Sequence, residues 1–530
     1  MITVPTLAEL DIEKFKNQLW REGQAEIVES IINTPKSNIL LQAGTGAGKS
    51  IIAAGSILLG PKWDRTDYKA GRLPPQSSIC TATLQLQAQY LNDFNDIAKE
   101  VKGRRNFDCL VEPIKADEAR CTISDPQDCE SYYTCSYYSQ IRQAENSPIT
   151  IHSYAMALTS MNYAGRFRQQ SFLVLDEAHL IDEMLMSFIS ATVSRYAAKL
   201  FDVPVPREGI NWSWEGWKSW AEAYIEQVES MVDGMAGDIY SNVETRKRYS
   251  TGKSLINTME LLLNDSIQWL VVPDATGWDF MPVWVGPLAH SNLYRHGHKR
   301  LFMSATILNP KLFAKLIGLD PDDCLFLDAP STFPIGSKPV YYDPVGNIKG
   351  GQPLEAYKDL VAKICATVKE HPGDKGLVHC VSYRLVQAIM LYAPADIKRR
   401  FITHDSQNRL LQYEIFKHSA SDVVMLSPSM KEGISLDDEE CRFVIITKIP
   451  YPYLGSPQVK ARMDTPLGKE WYPWKTTCDL IQMTGRGMRS KDDWCSVYIL
   501  DGNFERLFHQ MQRYIPDYWQ ADLHDVQGRL

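Results

Sequence analysis

Residues 37–59 read SNILLQAGTGAGKSIIAAGSILL. An apolar run, Ile39 to Leu41, leads into a glycine-rich turn and then into a small-residue, apolar stretch that reads as a helix. Strand, loop and helix in that order are what a phosphate-cradling P-loop requires. Gly44, Gly46 and Gly48 let the backbone curl, so that the N–H groups of the loop, Thr45 and Ala47 included, face phosphate oxygens. Lys49 would reach the β- and γ-phosphates of a bound nucleotide, and Ser50 would ligate Mg²⁺. Ala43 stands where the first glycine of such a loop usually falls.

The second half of a nucleotide site lies about 130 residues downstream, in FLVLDEAHLID (172–182). Phe172 to Leu175 reads as a buried parallel strand, which puts Asp176 and Glu177 at its carboxyl end, where ligands bind in open α/β sheets. Asp176 would hold Mg²⁺, and Glu177 would orient and deprotonate the attacking water. Further along come MSATIL (303–308), GLVHCVSYRLVQ (376–387), VVMLSPSMKEGISL (423–436) and QMTGRGMRS (482–490). The last carries Gln482, Arg486 and Arg489, and two arginines three residues apart on a helix lie on nearly one face. Permanently charged, bidentate donors suit a γ-phosphate held by another lobe, with ordinary surface ion pairing as the alternative.

The chain has 530 residues, 44% hydrophobic and 23% charged, an ordinary globular composition. At about 100–200 residues per domain it holds three or four domains. Net charge is −8, so nucleic-acid binding would rest on local basic residues rather than a global field. The first residues, MITVPTLAELDIEKFKNQ, lack a basic region followed by an apolar one, and no apolar run reaches the ~20 residues needed to span a bilayer. A cytoplasmic protein with no membrane association is expected, and in that compartment thiols stay reduced.

Four of the 11 cysteines crowd into 27 residues, Cys109, Cys121, Cys129 and Cys135, in a polar stretch of little predicted structure. Reduced thiols so placed point to a metal or cluster. Thiolates are the usual iron–sulfur ligands, and a segment this polar has too little apolar surface to fold alone, so a bound group would act as its core. Zinc is the rival, although the gaps of 11, 7 and 5 residues are not the tight pairs of a zinc knuckle. The other seven cysteines stand singly in apolar contexts and read as small buried hydrophobes.

Taken in order, AGTGAGKS, TATLQLQAQ, DEAH, SAT, SPSMKEGISL and QMTGRGMR resemble superfamily 2 helicases, and more narrowly the DinG/XPD family of iron–sulfur helicases. REGQ, with Arg21 and Gln24, looks like that family's adenine-reading motif; TKIPYPYLGSPQVKARM (447–463) is similar to its "K-[LIV]-P-[FY]" segment. The resemblance covers roughly residues 20–505. It implies an α/β fold: two RecA-like P-loop lobes, parallel sheets flanked by helices, with a 4Fe–4S domain and a helical Arch domain inserted in the first lobe. KGRRNFDC (102–109) looks like the opening of the family's cluster domain, which makes Cys109, Cys121, Cys129 and Cys135 the implied 4Fe–4S ligands. The implied boundaries are 1–104, 147–185 and 276–330 for the first lobe, 105–146 for the cluster domain, 186–275 for the Arch and 331–530 for the second lobe. The second lobe opens at Ser331, Thr332 and Phe333, where the family has "S-P-F".

Candidate nucleic-acid contacts follow the same resemblance. Thr81 and Thr83 correspond to a backbone-gripping motif of the first lobe, Ser382 and Tyr383 to one of the second, with helix capping as the alternative for each. Lys102, Arg104 and Arg105 precede the cluster domain's first cysteine, with a solvated charged turn as their alternative. Trp212, Trp214, Trp217 and Trp220 could stack on unpaired bases, but helix anchoring is the expected role. The expected activity is an ATP- and Mg²⁺-dependent DNA helicase, a monomer acting on single-stranded and forked or tailed DNA. The 5′→3′ polarity is implied by the resemblance alone. Two other readings stay open: an ATP-switched clamp, because Ser435 replaces the family's Asp in "E-G-[IV]-D", and a DEAH-type RNA helicase with a zinc-binding insertion.

Overall fold

A computed structural model describes residues 3–10, 12–44, 46–60, 76–167, 169–207, 210–239, 242–264, 267, 269–330, 334–405, 407–420, 422–428, 436, 438–485 and 493–530. Ser331, Thr332 and Phe333, the expected opening of the second lobe, lie outside them, as do Glu432, Gly433 and Ser435.

Seventeen strands are described. In chain order the first five are β1 (Asn38–Gln42), β2 (Ser77–Thr81), β3 (Ala98–Val101), β4 (Ile149–Ser153) and β5 (Gln170–Asp176). An excursion contributes β6 (Ala191–Ser194), β7 (Trp269–Pro273) and β8 (Gly277–Pro282), and the chain returns with β9 (Gly297–Ser304) and β10 (Cys324–Asp328). The remainder are β11 (Val340–Gly346), β12 (Gly376–His379), β13 (Phe401–Thr403), β14 (Val424–Ser427), β15 (Phe443–Ile446), β16 (Ser496–Asp501) and β17 (Leu523–Asp525). They form two seven-stranded parallel sheets, ordered β10-β1-β9-β5-β2-β4-β3 and β13-β14-β12-β15-β16-β11-β17. The fold is the expected pair of α/β lobes. Every residue of β1, β2, β12, β14 and β15 is buried, as expected of strands covered by helices on both faces.

Strand order places the chemistry. β9 lies between β1 and β5, so the loops that follow these three strands, AGTGAGKS, the SAT residues and DEAH, emerge side by side at one carboxyl edge. The Ala43 N–H donates to the Ser304 carbonyl at 2.9 Å, which continues the pairing of β1 and β9 past the end of β1.

Two insertions leave the first lobe. The cysteine segment lies between β3 and β4 and holds three-residue 3₁₀ turns and the helix Ser136–Glu145. The second insertion, expected to be helical, also contains a three-stranded antiparallel sheet, β6-β8-β7. Its two 20-residue helices, Trp214–Asp233 and Val243–Leu262, are capped by Ser213 and Asn242. They approach closely at Gly252, where a Cβ would come within 2.3 Å of Val232. Trp217 and Trp220 are buried; Trp217 packs on Trp278 and Phe280 and anchors the helix Trp214–Asp233 to the small sheet, and Trp220 donates to the Pro204 carbonyl at 2.6 Å. A tryptophan-rich sheet of short strands separated by helices gives no alternating stretch long enough to read from sequence.

The lobes meet through the helices Pro457–Met463 and Pro466–Thr484 of the second. Arg462, 3% exposed, makes a bidentate pair with Asp182 at 2.7 and 3.0 Å and donates from Nε to the Val283 carbonyl at 2.9 Å. Its guanidinium lies 4.6 Å from the Trp284 ring and 4.9 Å from the Trp471 ring. Nearby, Trp474 donates to the Ile307 carbonyl at 3.0 Å, and Lys475 pairs with Glu183 at 2.7 Å. No helix among the described residues is long and apolar enough to cross a membrane.

Removing one partner of a buried pair strands the other charge. Arg462→Ala should therefore destabilise the protein by about 3–5 kcal/mol, and Arg462→Ala with Asp182→Ala by less, measured as the shift in chemical denaturation midpoint.

Candidate active site

The P-loop is shaped by two positive-φ glycines, Gly46 and Gly48, both at 78°. The left-handed dihedral favours glycine at Gly48, where a Cβ would also lie 2.3 Å from the Gln24 Nε2 and displace that amide. Gln24 and Arg21, expected to face adenine, brace this loop. The Gln24 Nε2 donates to the Ala47 carbonyl at 2.8 Å, the Arg21 guanidinium donates to the Gly46 carbonyl, and the Arg21 N–H donates to the Gln24 Oε1 at 2.9 Å. Lys49 opens the helix Lys49–Leu59 and reaches within 3.5 Å of the Glu177 Oε1.

DEAH follows β5 through a strained step. Glu177 is left-handed at φ 50°, a conformation costly for a non-glycine residue and typical of functional turns. Asp176 is buried; its Oδ1 accepts the Glu177 N–H at 2.9 Å, and its Oδ2 accepts the Tyr90 hydroxyl at 3.0 Å. Burial raises its carboxyl to about 6; Glu177 adds to the rise and Lys49 opposes it. Burial lowers His179 to about 4, so the ring is neutral near pH 7. The His179 Nδ1 meets the Ser304 hydroxyl at 2.8 Å, Ser304 lies 3.3 Å from the Thr306 hydroxyl, and the Gln482 Nε2 donates to Thr306 Oγ1 at 3.2 Å. A chain of polar contacts thus joins DEAH through SAT to Gln482 of the second lobe. Thr45, Arg486 and Arg489 lie outside the described residues.

The four clustered cysteines converge. Cys109, Cys121, Cys129 and Cys135 are half-buried free thiols that line one cavity, walled also by Leu110, Val111, Ala116 and Ala119. No three His, Cys, Asp or Glu residues among the described ones are grouped tightly enough to hold a single ion. Arg104, expected at a DNA surface, turns inward: it donates to the Cys121 Sγ at 3.2 Å and to the Tyr138 hydroxyl at 2.7 Å, beneath the Tyr137 ring. Lys102 and Arg105 are exposed, Lys102 pairing with Glu100 at 2.9 Å. The remaining seven cysteines are buried singly or in apolar cores.

The candidate strand contacts divide. Thr83 and Ser382 cap the helices Leu84–Phe94 and Tyr383–Tyr392, accepting from Leu86 N and Leu385 N at 3.3 Å each. Thr81 is fully buried and donates to the carbonyls of Thr83 and His152, whereas Tyr383 is exposed. Sequence reading missed Tyr90. Its signal was present: Gln87, Tyr90 and Phe94 share one helix face, and all three are buried.

Residues 21–201 match the DEAD/DEAH box helicase family, and residues 364–522 match the helicase C-terminal domain family. A solved structure titled "XPD_Helicase" superposes with a TM-score of 0.63 at 15% identity, over 95% of this chain and 98% of that one. The S. tokodaii Xpd4 structure superposes with a TM-score of 0.58 at 14% identity, over 96% and 100%. A Caenorhabditis elegans protein, the regulator of telomere elongation helicase 1 homolog, is 29% identical over 102 residues, 17% of this chain. That stretch spans 10% of the relative's length.

A raised carboxyl favours folding below its ordinary value near 3.8 and opposes it once the pH exceeds about 6. Asp176→Asn should thus add on the order of 2 kcal/mol of stability at pH 8, a gain that shrinks as pH falls from 6 toward 4, read from melts in Mg²⁺-free buffer. With the geometry and the matches together, residues 21–201 carry a DEAD/DEAH box helicase domain and residues 364–522 a helicase C-terminal domain, in a fold like that of the XPD structures.

Proposed function

We propose that this protein is an ATP-driven translocase of the DinG/XPD type that moves 5′→3′ on single-stranded DNA, separates duplex at tails and forks, and holds a 4Fe–4S cluster. The observation that supports the iron–sulfur reading is the sharing of one cavity by all four cysteines of the 109–135 segment. A single zinc ion draws its sulfurs to about 2.3 Å of one point, whereas a metal–sulfide cage spreads its four thiolates around a larger body. The donor set is all sulfur and the walls are largely apolar, which suits a cluster more than an exposed ion. Cys109, Cys121, Cys129 and Cys135 would hold it, and when bound it would crosslink a segment that has almost no regular structure of its own.

In the nucleotide cleft, Lys49 and the P-loop N–H groups bind the phosphates, and Ser50 and Asp176 hold Mg²⁺. Glu177, fixed by its strained backbone, orients water and takes its proton. Arg486 and Arg489, outside the described residues, are the donors expected to meet developing charge on the γ-phosphate. The His179–Ser304–Thr306–Gln482 contacts supply a route by which the cleft senses the second lobe. Tyr383, exposed at the start of its helix, and the capped helix ends beside Thr83 and Ser382 suit contacts to sugar and phosphate, which position a strand without reading it. Repeated closure of two lobes that both grip the strand would advance it.

Protein purified without oxygen should be brown and hold about four irons per chain, where about two would mark a 2Fe–2S cluster on the same thiolates, and its ATPase should rise on adding unpaired DNA. Colourless protein containing zinc would remove the cluster, and equal unwinding of 3′-tailed and 5′-tailed duplexes would remove the polarity. Lys49→Ala should abolish ATP turnover and leave strand binding measurable by anisotropy. Cys109→Ser should keep strand-independent ATPase while losing displacement of a 5′-tailed duplex.

A further inference from the structure

The Asp176 carboxylate, assigned to Mg²⁺, has a partner outside its own motif. The Tyr90 hydroxyl donates to Asp176 Oδ2 at 3.0 Å. A phenol has one proton to donate, and here the carboxylate receives it. The second Asp176 oxygen is fixed by the Glu177 N–H at 2.9 Å, so the carboxylate is held at both ends.

The ring itself has little freedom. Tyr90 is 1% exposed, and its centroid lies 6.2 Å from that of Phe94, which in turn stacks on Phe15 at 5.6 Å. Gln87, one turn earlier on the same face, donates to the Ile151 carbonyl. The hydroxyl therefore reaches Asp176 from a helix locked onto the lobe rather than from a loose loop.

We propose that Tyr90 is a positioning residue for the nucleotide's divalent cation, orienting the Asp176 carboxylate. The proposal rests on the assignment of Asp176 as a Mg²⁺ ligand. Groups that orient metal ligands from behind are typically worth 10–100-fold in metal affinity. The helix that carries Tyr90 begins beside Thr83, so the geometry at the metal and the start of a candidate strand-gripping helix belong to one rigid element.

Tyr90→Phe keeps the ring and its packing and deletes the hydroxyl alone. In the full-length chain, binding of a fluorescent ADP is titrated with Mg²⁺, repeated in EDTA, and accompanied by a thermal melt. The variant should need about tenfold more Mg²⁺ for half-saturation, with affinity in EDTA unchanged and the melt preserved. An unchanged Mg²⁺ requirement overturns the proposal, as does an equal loss of affinity in EDTA, because either outcome gives Tyr90 a purely structural part. Wild-type protein whose nucleotide binding ignores Mg²⁺ refutes the ligand assignment instead, before the variant is considered.

Discussion

A single cation from one lobe is buried in the other. Arg462 spends its guanidinium on both Asp182 oxygens and the Val283 carbonyl and lies between Trp284 and Trp471. Removing such a charge from water is costly unless every donor is used and the partner geometry is good. Here the fork to Asp182 is bidentate, Nε donates to Val283, and two aromatic rings cover the guanidinium. Asp182 lies five residues after Glu177, on the helix that continues the DEAH turn, so the pair ties the second lobe to the first next to the chemistry. The link from Gln482 through Thr306 and Ser304 to His179 depends on that tie, because a relay of hydrogen bonds at 2.8–3.3 Å breaks if the lobes shift by an ångström.

The cysteine segment is anchored from two sides. Inward, Arg104 holds Cys121 and Tyr138. Outward, Glu112 meets Arg246 of the helix Val243–Leu262 at 2.8 Å, and Glu118 meets Lys247 at 3.3 Å. Arg246 is buried, so the contact is partly desolvated and stronger than an exposed pair. The two insertions of the first lobe therefore form one connected body, although Glu112 and Arg246 are 134 residues apart, with β4 and β5 between them. A charge placed before a cysteine ligand can serve the cavity or the solvent; Arg104 serves the cavity and its neighbour Arg105 the solvent.

Local order was enough to read the P-loop, DEAH and SAT, because each is a strand end followed by a turn and needs only its own residues to be recognised. The sequence likewise determined that the chain has two parallel α/β lobes, and that four thiols are set apart from seven buried ones. Tertiary structure alone decided what bridges these pieces. Gln24 and Arg21 brace the loop rather than stand free, Tyr90 holds Asp176 from a separate helix, and Arg462 finds Asp182 280 residues away. The small antiparallel sheet of the second insertion was also out of reach, since β6 and β8 pair across more than 80 residues of intervening chain. The reason is physical: turn chemistry and apolar periodicity are encoded within a few residues, whereas a buried hydrogen bond is specified only when packing brings its two ends together.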